Sequence, residues 1–323
     1  MSYIGREQEA GFAVEAVRGT AESSPSKWLR NVTAGFTRSA EHATDDASGG
    51  VLENSHGRRV TQKWYEGSIE GILHADTIGY PLKNIYGAVS TSEVVAGTVY
   101  NHTFSVAQNI THDTLSVFVK DGDARQVVVN GCVVNSQSIS AEINDYVRGT
   151  TELIGRDEAS DSSTPSYDKE YDFVAKDIEV KIADAEGDLS GATATKVKNL
   201  SVDYDLSAIR DHVFGDYTPD NVYNSGITIE GSMELNDTDD TFKDLFEGDG
   251  SKYMQIAIIG SQDLGDGNNP SLTFLFHNIQ VTGWERSGGN DELVEATVDF
   301  QAFYNRADGK QSEVDLQNTT ASY

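Results

Sequence analysis

The chain has 323 residues, of which 52 are Asp or Glu and 24 are Lys or Arg, giving a formal charge of −28. That balance argues against binding nucleic acid by neutralising its phosphates, which needs basic surfaces, while 37% hydrophobic and 9% aromatic residues still supply real cores. No run of about 18 apolar residues offers a bilayer span, and Met1–Glu7 lacks the basic start and apolar stretch of a signal peptide, so a product of the cytoplasm is expected.

Strand-like runs recur between Gly, Asn and Asp turns, with 30 Gly against 5 Pro, so the expected class is mainly β. In chain order, a strand over Asn31–Phe36 precedes an exposed loop over Thr44–Gly57. The strand Ser68–Leu73 then leads into a short helix over Thr77–Tyr86. Strands follow over Tyr100–Ala107, Val127–Val134, Ser136–Ile143 and Tyr146–Ile154; the single cysteine, Cys132, lies among them as a buried structural thiol. Asp157–Ser166, polar and containing Pro165, reads as a linker.

Beyond it the alternation is clearest in Ile227–Leu235, where Ile227, Ile229, Met233 and Leu235 share one face and Thr228, Glu230, Ser232 and Glu234 the other. Asn236-Asp237-Thr238 are good capping residues for a helix over Asp239–Phe246. A loop is expected at Asp263–Pro270, strands at Leu272–Ile279, Val281–Arg286 and Leu293–Tyr304, and a polar tail without a core at Asp308–Tyr323.

The two halves repeat this order. Ile69-Glu70-Gly71 and Ile229-Glu230-Gly231 each precede a capped helix and a glycine, Asn31–Phe36 parallels Asn199–Tyr204, and Tyr100–Ala107 is matched to Tyr253–Ile259. The expectation is therefore two tandem duplicated domains, 1–160 and 161–323, the second with the polar C-terminal tail.

Chemistry is hard to find. The phosphate-cradling, zinc-protease and nucleophile-elbow motifs are absent, the histidines lack metal-ligand spacing, and carboxylates are too common for any pair to define an acid–base dyad. Asp263–Asn269 lacks the ligand order of a calcium loop. No catalytic, cofactor or metal residue is assigned.

With its opening Tyr3–Glu7 and Gly11-Phe12, the strand-to-helix unit of each half and the closing Glu295–Tyr304, the chain resembles the tail tube proteins of tailed, siphovirus-like bacterial or archaeal viruses, in the type carrying two tube domains. The resemblance implies two β-sandwich domains, each with a short flanking helix, contributing strands to a ring-shaped β-barrel through which DNA passes without specific binding. It implies a structural virion protein rather than an enzyme, located in the tail, with no cofactor and no membrane. Its partners would be itself, as homotrimeric rings stacked into a tube, and the tape-measure, tail-tip and tail-terminator proteins. Single-domain relatives typically form six-fold rings, so two domains per chain imply three copies.

The polar parity of the barrel strands then gives lumen-lining positions: Glu66, Ser68 and Glu70 in the first half, and Thr228, Glu230, Ser232, Glu234, Glu295, Thr297 and Asp299 in the second. Two explanations of the acidity stay open at this point, adaptation to high salt and a channel that repels phosphate. The rival classes are an unrelated structural or adhesin-like β-protein and a carbohydrate-active enzyme.

Overall fold

The computed structural model describes residues 4–30, 32–47, 50, 52, 56–248, 250–288 and 293–323. A 3-10 turn, Gly5–Glu7, opens the first half and leads into β1 (Gln8–Val14), β2 (Lys27–Leu29), β3 (Val32–Asp45), β4 (Gly57–Ile72), α1 (Gly79–Tyr86), β5 (Gly87–Val95), β6 (Val99–Val106), β7 (Leu115–Asp121), β8 (Arg125–Glu142), β9 (Arg148–Gly155) and β10 (Asp157–Ser160). Another, Ala175–Asp177, opens the second half and leads into β11 (Ile178–Ala183), β12 (Val197–Asp205), β13 (Ile209–Asp211), β14 (Asn221–Tyr223), β15 (Thr228–Asn236), α2 (Thr241–Glu247), β16 (Lys252–Ile259), β17 (Ser271–Ser287), β18 (Glu295–Ala302) and β19 (Ser312–Asn318). The molecule is mainly β, and the strand pairings are antiparallel.

Each half has two layers joined by one long strand. In the first half β8 runs from an outer layer, ordered β2-β1-β7-β8-β10, into an inner layer, ordered β3-β4-β9-β8, and changes layer at a bulge between Val134 and Ser136. In the second half β17 does the same, running from β11-β16-β17-β19 into β12-β15-β18-β17 with its bulge between Val281 and Gly283. A bulge bends a strand and breaks its ladder, which is what a change of layer requires. In the first half Asn84 of α1 fills the broken ladder: its Oδ1 accepts from the Val134 amide at 2.7 Å, and its Nδ2 donates to the Asp113 carbonyl at 2.7 Å. The helix stops at Gly87, whose φ of 77° is left-handed and whose Cβ-less backbone lies against the His112 ring.

Two strand pairings interlock the halves. β8 pairs with β12, so the inner layers form one eight-stranded sheet, β3-β4-β9-β8-β12-β15-β18-β17; β6 pairs with β19, so the β5–β6 hairpin extends the second half's outer layer. The inner sheet does not close on itself, and its edges among the described residues are β3 and the C-terminal part of β17.

Counting outward from the two bulges, the registers of the inner layers agree step by step. Glu152 of β9 and Asp299 of β18 take equivalent places, as do Ser68 of β4 and Ser232 of β15. This superposes Glu66-Gly67-Ser68-Ile69-Glu70 on Glu230-Gly231-Ser232-Met233-Glu234, four residues away from the Ile-Glu-Gly alignment suggested by sequence. The same counting makes β7, not the Tyr100–Ala107 strand, the counterpart of β16.

Two further expectations are corrected. Asp308–Tyr323 is not a coreless polar tail: β19 lies between β17 and β6, its Val314 and Leu316 are fully buried, and Tyr323 packs under α1 against Gly79 and Tyr80. Its short alternation is polar by count but puts each apolar side chain on the core face. The predicted linker begins later than Asp157, because Asp157–Ser160 is β10, paired with β8. Both helices lie close to where they were expected, but the residues expected to cap α2 do not cap it: Asn236 ends β15, the helix starts at Thr241 after Asp240, and the local side-chain contact there is Asp239 Oδ1 accepting from the Thr241 amide at 3.0 Å.

Candidate functional site

The inner sheet has one dry face and one wet face. Ile69, Leu153, Ile139, Val202, Ile229, Met233, Val298 and Phe300 are buried against the outer layers. The alternate positions point away from the core, so strand parity alone assembles a broad polar surface.

All ten candidates lie on this wet face. Glu66, Ser68, Glu70, Thr228, Glu230, Thr297 and Asp299 are exposed, and Ser232, Glu234 and Glu295 are half-buried. Register brings many of them side by side: Ser232 opposes Asp299, and Glu234 opposes Thr297. Sequence reasoning missed Glu142, Glu152, Asp203, Asp205 and Glu285, which share the face. The signal was available, since Ser201, Asp203 and Asp205 alternate with buried Leu200, Val202 and Tyr204.

Few cations answer these carboxylates. Lys198 is ion-paired with Glu295 and holds that carboxylate below its usual range, mainly through their hydrogen bond. Asn199 donates to Glu234. Glu66 is less free than the rest: it accepts from Trp64 Nε1 at 2.6 Å and meets Arg210 at 3.2 Å, where the β13–β14 hairpin folds over β4. Arg210 stacks on the Trp64 ring at 3.8 Å. In the middle of the sheet Asp203 stands directly opposite Glu230, and like charges so placed destabilise a sheet. An uncompensated pair there is a cost that folding alone does not call for.

An array of solvated carboxylates such as this one repels anions. Among the described residues no group of three or more His, Cys, Asp or Glu is placed to hold a metal ion. Burial pushes the Cys132 thiol well above its ordinary range, leaving it unreactive. No helix of the described residues is long and apolar enough to cross a membrane.

An open β-sheet with one acidic face and two unpaired edges is the expected form of a tube wall. The family model for phage tail tube proteins matches residues 5–302. The chain belongs to that family. No curated protein matches it. As a tail tube protein it is a structural component of the virion tail, and its family role is assembly with itself and with other tail proteins.

Proposed function

We propose that three copies close a ring whose inner wall is the acidic face, and that stacked rings form the channel for genome ejection. The supporting observation is the equivalence of the inner layers, strand for strand and in the layer-changing bulges of β8 and β17, which reads as a tandem duplication of one tube domain with a boundary near residue 160. The β8–β12 seam then serves as the template for the joint between copies, with β17 of one subunit against β3 of the next.

Size agrees with this. Eight strands closed on themselves would leave an interior only wide enough for side chains, and this face is too charged to be packed there. Three copies of eight strands make twenty-four, and at about 4.8 Å per strand with a tilt of about 40° the backbone diameter is roughly 45–50 Å. That is an open channel. Its carboxylates would deny passing phosphates the counterion release that binds DNA to basic surfaces. The chain itself catalyses nothing in this reading, and its partners beyond itself are the tape-measure, tail-tip and tail-terminator proteins.

Electron microscopy of concentrated protein tests the ring: tubes with three chains per turn are expected, and six chains per ring would overturn the trimer. For the lumen, Glu70→Lys and Glu230→Lys particles should eject DNA more slowly at low salt. Wild-type rates would remove these residues from the channel.

A further inference from the structure

A contact outside the inner sheet accompanies the seam between the halves. Just after the β8–β9 turn, Tyr146 forms an antiparallel bridge with Val174, immediately before the Ala175–Asp177 turn. The Val147 amide donates to the Phe173 carbonyl at 3.0 Å and the Ala175 amide to the Asp145 carbonyl at 3.0 Å; Val147 and Phe173 are fully buried. One half is thus fastened to the other by the segment that enters its first outer strand.

The same parts exist at the open ends, but separated. The inner-layer register carries Tyr146 to Leu293 and Val147 to Val294, just ahead of β18. The pairings of β1 with β7 and β11 with β16 carry Val174 to Ile4, and the Ala175–Asp177 turn to Gly5–Glu7. Ile4 is 63% exposed, Leu293 72% and Val294 46%, whereas buried Val147 shows what the place offers when filled. The surroundings differ in the same way. The concavity beside Ala175 and Val197, of about 700 Å³, is walled by Ile143–Tyr146 of the first half. Its counterpart beside Gly5, Leu29 and Val32 is larger, about 1090 Å³, and among the described residues no inner-sheet turn lines it.

We propose that Ile4–Glu7 of one copy docks on Leu293–Val294 of its neighbour, a latch on the outside of the ring that repeats the Tyr146–Val174 bridge between subunits. This rests on the ring reading and goes beyond it, because a ring could be held by its inner sheet alone. The occupant is a second copy of this chain, since the surface it must match is the one the second half already presents to the first.

Two cysteine pairs separate the latch from the ring. Ile4→Cys with Leu293→Cys reports the latch. Thr37→Cys with Glu285→Cys reports the seam, being the counterpart of Asp203 opposite Ser138. Directly opposed residues lie about 4.5–5.5 Å apart at Cα, within disulfide reach, and the buried Cys132 can stay. In oxidised tubes both pairs should give covalent trimers on a non-reducing gel. A seam that links while Ile4 and Leu293 do not would overturn the latch and leave the ring; failure of both would overturn the ring and the latch with it. As a second measurement, Leu293→Asp should leave the unassembled chain's melting midpoint unchanged and raise the concentration needed for assembly roughly tenfold or more. An unchanged assembly concentration would sink the latch.

Discussion

β12 and β3 occupy equivalent places in the inner sheet, yet they are finished differently. Val202 and Tyr204 of β12, and Leu206 just beyond it, are buried beneath the first half, and the Tyr204 hydroxyl meets that of Tyr86 at 3.2 Å. On β3 the matching positions are Phe36, Arg38 and Ala40, and the last two are exposed. Arg38 lies over the Tyr65 ring at 5.6 Å, a charge at a core-facing position of an edge strand. Such a charge discourages indiscriminate pairing. The helices repeat the contrast, because Tyr86 at the end of α1 is buried while Phe246 of α2 is 44% exposed. In the ring proposed above, the closed seam inside the chain and the open one between copies share one plan, and Arg38 guards the open one against unselective pairing.

The closed side should break hardest at its far end. Tyr323 seats its ring at 5.1 Å from Tyr80, its hydroxyl receives Asn318 Nδ2 at 2.6 Å, and Gly79 leaves it room. Tyr323→Ala should cost about 3 kcal/mol by urea unfolding, and an unchanged midpoint would show that the C-terminus does not secure α1.

A matched pair of glycines sharpens the comparison next. A Cβ on Gly67 would run into Phe36 of the edge strand β3, and one on Gly231 into Phe300 of β18, which is paired on both sides. Each clash also includes a backbone carbonyl, Gly35 at Gly67 and Ser201 at Gly231, so relief depends on how far the strands can shift, and among the described residues β3 is held by a ladder on one side only. Gly231→Ala should therefore destabilise by about 2–3 kcal/mol, with Gly67→Ala costing about 1 kcal/mol less. Equal losses would mean that the edge is as rigid as the interior.

How much of this the sequence carried depends on range. Local signals were readable: the alternation in Ile227–Leu235, a short helix close after it and the buried Cys132. The wet face of β4, β15 and β18 followed from parity. Pairings between distant segments were not readable, since nothing local tells β12 to seek β8 or β19 to lie beside β6. The C-terminal strand was missed because Val314 and Leu316 acquire meaning only when β17 and β6 flank them. The four-residue offset arose because Ile-Glu-Gly is a weak match, and the bulges at Asn135 and Thr282, invisible in composition, set the true frame.

Between the halves, His74 and Glu170 face each other at 3.5 Å, both nearly buried. Burial lowers the His74 pKa and pushes that of Glu170 up to about 7, with Lys27, Arg30, Asp76 and Asp172 as the charges around them. Both groups favour their neutral forms, so the contact is not an ion pair. From about pH 4.5 to 7 the native state keeps a proton on Glu170 that the unfolded chain gives up, and stability falls as pH rises through that window. His74 acts oppositely, with stability lost as pH drops below about 6.5. Glu170→Gln should remove the first slope and keep the second, so its melting midpoint should gain on the wild type from pH 5 to 8. Parallel curves would rule this out.

The smallest effect bears most directly on function. Asp203 and Glu230 are directly opposed near the seam between the halves, on the face that strand parity points away from the core. A sheet selected for stability alone would place Thr, or an opposite charge, at one of them. Asp203→Asn should then stabilise the unassembled chain by a few tenths of a kcal/mol to about 1 kcal/mol, and the gain should shrink as salt screens the repulsion over about 10 Å at 0.1 M. If instead the variant is destabilised at every ionic strength, the carboxylate is contributing structure. The acidic face would then be a feature of folding and not of the channel.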